Sequence, residues 1–201
     1  MPRPRSDADS PWKAALDLYF REFLELLFPE AAAQIDWSRG YHSLDSELQE
    51  ISHGATLKRR SVDKLVQVWL ANQEECWVLA HVEVQSRSSS DFARRMYVYN
   101  YRIFDHYDRR VASFAVLADP SRTWHPQAFE YTLLGSYAGL RFSTAKLRDY
   151  EARLQELEAS GNPFAVLVLA HLAAQRTRRS DEARLQGKLS LVKSLYSRGY
   201  S

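Results

Sequence analysis

The sequence predicts an α/β protein, because segments with helical periodicity alternate with short apolar runs that are typical of buried strands. Three of these runs, at residues 62–70, 76–85 and 111–118, are rich in Val, Leu, Ala and Trp. With 201 residues and 45% hydrophobic content, the chain can bury one full core. We therefore expect an α/β domain with buried strands, followed by a helical C-terminal extension.

Three parts of the chain are expected to differ in organisation. Residues 1–10 should form a flexible N terminus and residues 11–150 a core domain. Residues 151–201 should form the helical extension, which packs on the core. The chain is therefore expected to be one domain with one elaboration.

The N-terminal part of the core predicts one amphipathic helix. Asp9 or Ser10, ahead of Pro11, suits a helix start, and apolar residues then recur at helical spacing until Pro29. Segment 30–61 is predicted as a further helix, although a short strand there stays open. The apolar residues of the first helix are Leu16, Tyr19, Phe20, Phe23, Leu24 and Leu27.

The central strands predict a hairpin with a helix packed beside it. The runs at 62–70 and 76–85 are joined by a short polar segment, so they should pair antiparallel. Asp91 is expected to cap the next helix, and the strand at 111–118 follows that helix and ends at Asp119. One face of the helix is predicted to carry Phe92, Met96, Tyr99 and Ile103.

Beyond a further strand predicted at 129–134, the patterns are helical. Asn162 before Pro163 places a capping residue ahead of a proline at the first helical position. This arrangement predicts a helix over 164–174. A last helix is expected from Ser180 onward.

The charge of the chain permits contact with phosphates without requiring it. The net charge is +2, but residues 176–201 carry seven basic and two acidic side chains, a net of +5. Such a segment usually forms a solvated helix face, and it can also lie along a phosphate backbone.

Composition excludes several classes of protein. Cys76 is the only cysteine, so neither an intrachain disulfide nor a cysteine-built zinc site is expected, which fits a reducing compartment. The longest apolar stretch, residues 163–174, is too short for a bilayer, which needs about 20 apolar residues. Since no apolar signal segment is found near the N terminus, we expect a cytoplasmic protein without a membrane partner.

A row of polar residues in the second strand is the main functional signal. Because side chains alternate along a strand, His81, Glu83 and Gln85 should point to one face while Val82 and Val84 point to the other. The apolar flanking residues indicate a strand that is buried on both faces. A buried carboxylate needs a partner, and a metal ion is one such partner.

The order of helix, strands carrying Asp63 and then Glu83-Val84-Gln85, helix and strand resembles the PD-(D/E)XK nuclease superfamily. Glu83-Val84-Gln85 occupies the place of its final motif. A closer likeness, over about residues 18–174, is to the recombination-promoting nuclease and putative transposase family. It implies a core sheet flanked by helices, metal-dependent cleavage of DNA, and a link to recombination or transposition. The segments that carry it are 62–66, 81–85, 91–99 and 102–104.

The resemblance implies a metal site built from Asp63 and Glu83. On paired strands these carboxylates, with the carbonyl of Val84, can hold one hard cation. Mg²⁺ suits such oxygens, since one or two carboxylates usually bind it together with water and phosphate, and Mn²⁺ is an alternative. The ion would polarise a phosphate and acidify a bound water, which leads to phosphodiester hydrolysis. Glu47 or Glu50, from the preceding element, would complete the metal shell.

Gln85 departs from the superfamily pattern, which has a lysine at this place. An amide can orient the attacking water but cannot supply the positive charge of a lysine. Arg95, in the following helix, is the expected source of that charge and would hold a phosphate oxygen. Lys64 suits this role less, because strand alternation points it away from Asp63. The DNA contacts expected on the same helix are Tyr99 and Arg102.

Each of these residues also has a structural interpretation. Asp63 can cap a turn, Glu83 can form a salt bridge with Arg95, and His81 can be a hydrogen-bonded residue of the sheet. The aromatic residues of the following helix can pack in the core rather than stack on bases.

The leading hypothesis is therefore a Mg²⁺-dependent deoxyribonuclease, an endonuclease with DNA as its partner. Its catalytic groups would be Asp63, Glu83, Gln85 and Arg95. The alternative is a catalytically weak or inactive nucleic-acid-binding protein on the same fold. A third hypothesis is a protein scaffold in which Glu83 is buried in an ion pair. A homodimer also stays open, because double-strand cleavage often uses two active sites.

Overall fold

The computed structural model describes the backbone of residues 9–52, 61–72, 74–83 and 90–176, and the side chains of residues 12–48, 64–72, 74–80 and 90–176. The architecture is α/β, as the sequence predicts. A five-stranded mixed sheet has helices on both faces, and a separate two-stranded sheet lies beside it.

The N-terminal helix is divided rather than continuous. The segments are α1 (Asp9–Leu18), α2 (Phe20–Leu27) and α3 (Pro29–Ala32). At the first break the backbone of Tyr19 has φ −133° and ψ 41°, although its N–H still donates to the carbonyl of Ala15 at 2.8 Å. The second break precedes a proline, which disfavours helical geometry in the residue before it. The prediction of one continuous helix is therefore wrong, although the helical region covers the predicted residues up to Pro29.

Both alternatives for segment 30–61 occur. A 3-10 helix at Trp37–Arg39 is followed by the short strand β1 (His42–Ser43) and by α4 (Asp45–Ser52). β1 pairs antiparallel with the next strand, so it adds an edge to the sheet.

The predicted hairpin is confirmed. β2 (Ser61–Trp69) and β3 (Glu75–Glu83) pair antiparallel along their whole length. α5 (Phe92–Tyr107) then leads to β4 (Val111–Leu117), which lies parallel to β3. With β7 (Ser143–Lys146) parallel to β4, the sheet order is β1-β2-β3-β4-β7.

The predicted buried face of α5 is also confirmed, because Phe92, Met96, Tyr99 and Ile103 are all buried. The cap that the sequence predicts at Asp91 is not confirmed. Asp91 occupies the N-cap position with φ −92° and ψ 0°, and its side chain accepts no hydrogen bond from the first turn of α5. Asn100 holds the helix to the sheet instead, since its Nδ2 donates to the carbonyl of Val111 at 2.9 Å and to Ser113 Oγ at 3.0 Å.

Residues 128–146 correct the prediction that the chain is helical after residue 134. β5 (Ala128–Leu133) and β6 (Ser136–Arg141) form an antiparallel hairpin, and β7 follows. β6 contains Ala138 and Gly139 and lacks β-branched residues, so its sequence carries a weak strand signal. Pairing with β5 is what makes it a strand.

The C-terminal part that the structure describes consists of helices. A 3-10 helix at Leu147–Arg153 leads to α6 (Leu154–Ala159) and α7 (Pro163–Arg176). The cap predicted at Asn162 is confirmed, because its Oδ1 accepts the N–H of Phe164 at 2.8 Å. The helix expected from Ser180, and the rest of the basic segment after Arg176, lie outside the described residues.

Apolar residues are buried on both faces of the sheet. Helices α1, α2 and α7 cover one face, where Phe23 and Phe164 pack edge to face with ring centroids 5.3 Å apart. Helices α4 and α5 cover the other face, where Leu65 and Leu79 pack with Tyr99. Among the helices in the described ranges, none combines the length and apolar character needed to cross a membrane.

Candidate functional site

The register of β2 and β3 determines where the predicted metal ligands lie. Asp63 is directly opposite His81, and Ser61 is directly opposite Glu83. Because opposite residues of an antiparallel pair share a face, positions 61, 63, 81 and 83 lie on one face of the sheet. Asp63 and Glu83 are diagonal neighbours, with Cα atoms about 7–8 Å apart in such a pair. The side chains of Asp63, His81 and Glu83, and all of Val84 and Gln85, lie outside the described residues.

This face is the one that α5 covers. Leu65 and Leu79 are opposite each other on the same two strands, two residues from the pair of Asp63 and His81. Both belong to the buried cluster that contains Tyr99 of α5. Asp63 and His81 are each two residues from these leucines, so they share that face. The predicted carboxylate positions therefore lie beneath α5 rather than beneath the N-terminal helices.

Ideal helix and strand rises put Arg95 close to the level of Asp63, His81 and Glu83. α5 connects two parallel strands and runs back along the sheet, so it is antiparallel to β3. From Tyr99, one turn towards the start of α5 rises about 6 Å to Arg95. From Leu65 and Leu79, two residues along the strands rise about 7 Å in the same direction, to Asp63 and His81.

Arg95, Tyr99 and Arg102 occupy one side of α5, at the spacing of successive turns. The guanidinium of Arg95 lies 5.7 Å from the centroid of the Phe92 ring, which supports its orientation. Arg102 is half-buried, and its Nη1 is a buried donor with no acceptor among the described groups. This side of the helix therefore presents two cationic groups within about two turns.

Tyr99 belongs to the core rather than to the surface of α5. It is 5% exposed and packs with Leu65 and Leu79, so little of its ring is available to a base. The exposed large hydrophobic rings of the helix are those of Tyr101 and Phe104, at 51% and 49%.

Glu47 is not brought beside Arg95. Its carboxylate accepts a hydrogen bond from Ser46 Oγ at 2.8 Å, and its carbonyl accepts one from the hydroxyl of Tyr107 at 3.3 Å. Tyr107 is twelve residues after Arg95, about 18 Å along the axis of α5. Glu47 therefore lies near the opposite end of this helix, and the side chain of Glu50 lies outside the described residues.

Lys64 occupies the opposite face of the sheet, as strand alternation predicts. Its Nζ donates to Asp17 Oδ1 at 2.7 Å, to Ser43 Oγ at 2.9 Å and to Asp45 Oδ2 at 2.7 Å. These three acceptors match the three N–H groups of a lysine. Burial alone would lower the pKa of Lys64, but the hydrogen bonds and charges of Asp17 and Asp45 outweigh it and raise the pKa above its ordinary value. Lys64 is therefore a structural cation, which links β2 to α1 and to the start of α4.

A pH dependence of stability follows from this lysine. Because its pKa is raised on folding, its contribution is complete below the ordinary value of 10.5 and is lost as the pH rises through the folded value. Lys64→Met should lower the free energy of unfolding at pH 8 by about 1–2 kcal/mol, a modest cost because water reaches both carboxylates and screens the pairs. The difference from wild type should narrow above pH 10.5.

Urea unfolding between pH 8 and 11.5 measures this effect. Lys13→Met, a change of the same type at an exposed position of α1, should track wild type at every pH. A Lys64→Met difference that stays constant across the range would contradict the pKa argument.

A second buried cation was not anticipated from the sequence. Lys146 Nζ donates to Asp119 Oδ2, and both side chains are 1% exposed. Lys146 also donates to the carbonyl of Trp124 at 3.3 Å, and Asp119 Oδ1 accepts the N–H of Ser121 at 2.9 Å. The only sign of this ion pair in the sequence is Asp119, an acid directly after the buried strand at 111–118. This pair joins the C-terminal ends of β4 and β7.

Among the side chains that the structure describes, no three His, Cys, Asp or Glu residues lie close enough to hold a metal ion. The carboxylates of Asp63 and Glu83 are not in this set, so the predicted metal site depends on the backbone register. Comparison of the chain with protein-family models finds no match, and comparisons with curated proteins and with solved structures find none either.

Proposed function

We propose that the chain is a metal-dependent DNA endonuclease of the PD-(D/E)XK type, similar to the recombination-promoting nucleases and putative transposases. The observation that carries this proposal is the register of β2 and β3, which puts positions 63 and 83 on adjacent strands of one face with Arg95 close to their level. The element order also supports it, because N-terminal helices, the antiparallel strands β2 and β3, the helix α5 and the parallel strand β4 follow one another in the order on which the resemblance rests.

Asp63 and Glu83 would hold the metal ion, with the carbonyl of Val84 as a third oxygen. Diagonal neighbours on paired strands are close enough for two carboxylates to share one cation. Mg²⁺ or Mn²⁺ fits an oxygen donor set of this kind, and when bound it supplies a Lewis acid and an acidified water for phosphodiester hydrolysis.

Arg95 and Gln85 would together replace the lysine of the superfamily, Arg95 by supplying the positive charge and Gln85 by orienting the attacking water. A guanidinium can hold two phosphate oxygens in fork geometry, and its charge does not depend on pH in the physiological range. The amide of Gln85 would orient the attacking water, since it can both donate and accept hydrogen bonds. Arg102, further along the same side of α5, would bind the DNA backbone.

Nicking of supercoiled plasmid by the purified protein tests the proposal. With Mg²⁺ or Mn²⁺ we expect conversion to open circles and linear DNA, and with EDTA we expect none. A gel-shift titration of a fragment of the same plasmid should be run beside it. If no metal supports nicking while DNA binding is retained, the protein is the non-cleaving nucleic-acid-binding form of the fold, which the amide at position 85 would explain. If neither occurs, the protein does not act on DNA.

A further inference from the structure

The β5–β6 hairpin has one polar and one apolar face. Register pairs Phe129 with Leu140, Tyr131 with Ala138 and Leu133 with Ser136, so these residues share a face without any charge. The charged residues of the two strands lie on the other face, where the hydroxyl of Tyr137 donates to Glu130 at 3.1 Å. The residues of that polar face are Ala128, Glu130, Thr132, Tyr137, Gly139 and Arg141.

Among the residues that the structure describes, contacts cover only the base of the apolar face. The Phe129 ring packs on Tyr97 of α5 with centroids 5.1 Å apart, and Leu140 packs on the core cluster around Phe92. Further out, Tyr131 is 50% exposed and Leu133 is 64% exposed. A two-stranded sheet is marginal in water unless its apolar face is packed against something.

The exposed surface continues from the hairpin onto α5. The Tyr101 ring stacks on Tyr97 with an interplanar angle of 14°, and Phe104 lies one turn further along the helix. Both Tyr101 and Phe104 are about half exposed. The uncovered part of the hairpin and these two rings therefore form one apolar surface, which we call the hairpin surface and define as Tyr101, Phe104, Tyr131, Leu133 and Leu134.

The tip of the hairpin is strained and apolar at once. Leu134 and Gly135 have φ values of 49° and 83°, the two positive angles of a tight hairpin turn, in which asparagine or aspartate is usual at the first position. A leucine in this conformation is strained, because its Cβ lies too close to the following carbonyl oxygen, and this leucine is 98% exposed. Strain of this kind in an exposed apolar residue points to a role in binding.

We propose that the hairpin surface is a symmetric dimer interface that packs against the same surface of a second copy of this chain. A nucleic acid is a poor occupant, because none of the five residues that define the surface carries a cation for a phosphate backbone. An isologous pair needs only one self-complementary surface, and an uncharged apolar surface meets that condition.

The size of the surface is consistent with a dimer that forms reversibly. An aromatic side chain has about 150–250 Å² to bury and a leucine somewhat less, so the exposed parts amount to roughly 500 Å² per copy and about 1,000 Å² for a pair. Specific interfaces begin near this area. The dimer should therefore dissociate on dilution. This interface does not depend on the proposed nuclease activity.

Sedimentation velocity of the full chain over a wide concentration range tests the interface. The mass of wild type should rise from 23.3 kDa towards twice that value. Leu133→Glu, which puts a charge on the apolar face, should weaken association at least tenfold. Thr132 is the adjacent residue and lies on the polar face of the hairpin. Thr132→Glu therefore adds the same charge outside the proposed interface and should leave association unchanged.

A second variant separates association from folding. Leu134→Asn places a residue that tolerates the left-handed conformation at the tip, so it should keep or raise the melting temperature while it weakens the dimer several-fold. Three results would overturn the proposal: a wild-type mass of 23.3 kDa at all concentrations, equal effects of Leu133→Glu and Thr132→Glu, or an unchanged Leu134→Asn dimer. If wild type is monomeric and Leu133→Glu weakens binding to a DNA oligonucleotide, the surface binds nucleic acid instead.

Discussion

Glu83→Gln and Asp63→Asn should each lower the rate of Mg²⁺-dependent plasmid nicking by roughly 1,000-fold or more. Each change keeps the shape of the side chain and removes the negative charge that a hard cation requires. A bound metal contributes several kcal/mol of transition-state stabilisation, and about 4 kcal/mol corresponds to about three powers of ten in rate. The loss should appear at saturating DNA, because the ligands act on the chemical step.

A matched control is available on the same strand. Glu75→Gln makes the identical change at the other end of β3, eight residues and about 26 Å from Glu83. Glu75 is exposed, and its Oε1 accepts the indole N–H of Trp77 at 3.0 Å, an interaction that the amide oxygen of glutamine can also make. This variant should nick DNA at the wild-type rate.

Glu83→Gln and its control Glu75→Gln also distinguish a catalytic role of Glu83 from a structural one. If Glu83 served only as a salt-bridge partner, Glu83→Gln would lower the melting temperature and leave nicking per folded molecule unchanged. Circular dichroism melts of all variants, run beside the nicking assay, measure both quantities. A Glu83→Gln protein that is folded and fully active would rule out the proposed metal site.

The sequence predicts the centre of this fold well because the relevant signals are local and periodic. The apolar runs that contain Leu65 and Leu79 predict the two strands, the alternation of side chains along each strand assigns their two faces, and the register then follows from the short turn. The buried stripe of α5 is equally local, since its members recur every three or four residues. The diagonal relation of Asp63 and Glu83 is therefore a consequence of patterns that are visible in the chain.

The features that the sequence does not predict depend on distant partners. β6 is a strand because β5 lies beside it, and the Leu134-Gly135 turn between them lacks the usual asparagine signal. Lys64 appears in the sequence as an ordinary strand residue, yet it binds Asp17, which is 47 positions away. The break at Tyr19 has no signal in the sequence, because the helical spacing of the apolar residues continues through it from Leu16 to Phe20 and Phe23.

Breaking the buried pair of Asp119 and Lys146 should be among the most destabilising changes in the described part of the chain. Lys146→Met leaves a carboxylate that is 1% exposed without its cation, and Asp119→Asn leaves the ammonium with neutral acceptors only. Removal of one partner of a buried ion pair typically costs about 3–5 kcal/mol. Each single variant should therefore lose a large share of the stability of a domain, which is about 5–15 kcal/mol in all.

The double variant carries the sharper test, because most of each single cost comes from the charge that is left behind. Asp119→Asn with Lys146→Met removes both charges, so its loss should be about 2–3 kcal/mol smaller than the two single losses combined. The amide oxygen introduced at position 119 would still accept the N–H of Ser121, which keeps the end of β4 in place. Urea unfolding of the four proteins gives the coupling directly. If the two costs simply add, the pair is not coupled, and the link between β4 and β7 depends on apolar packing rather than on charge.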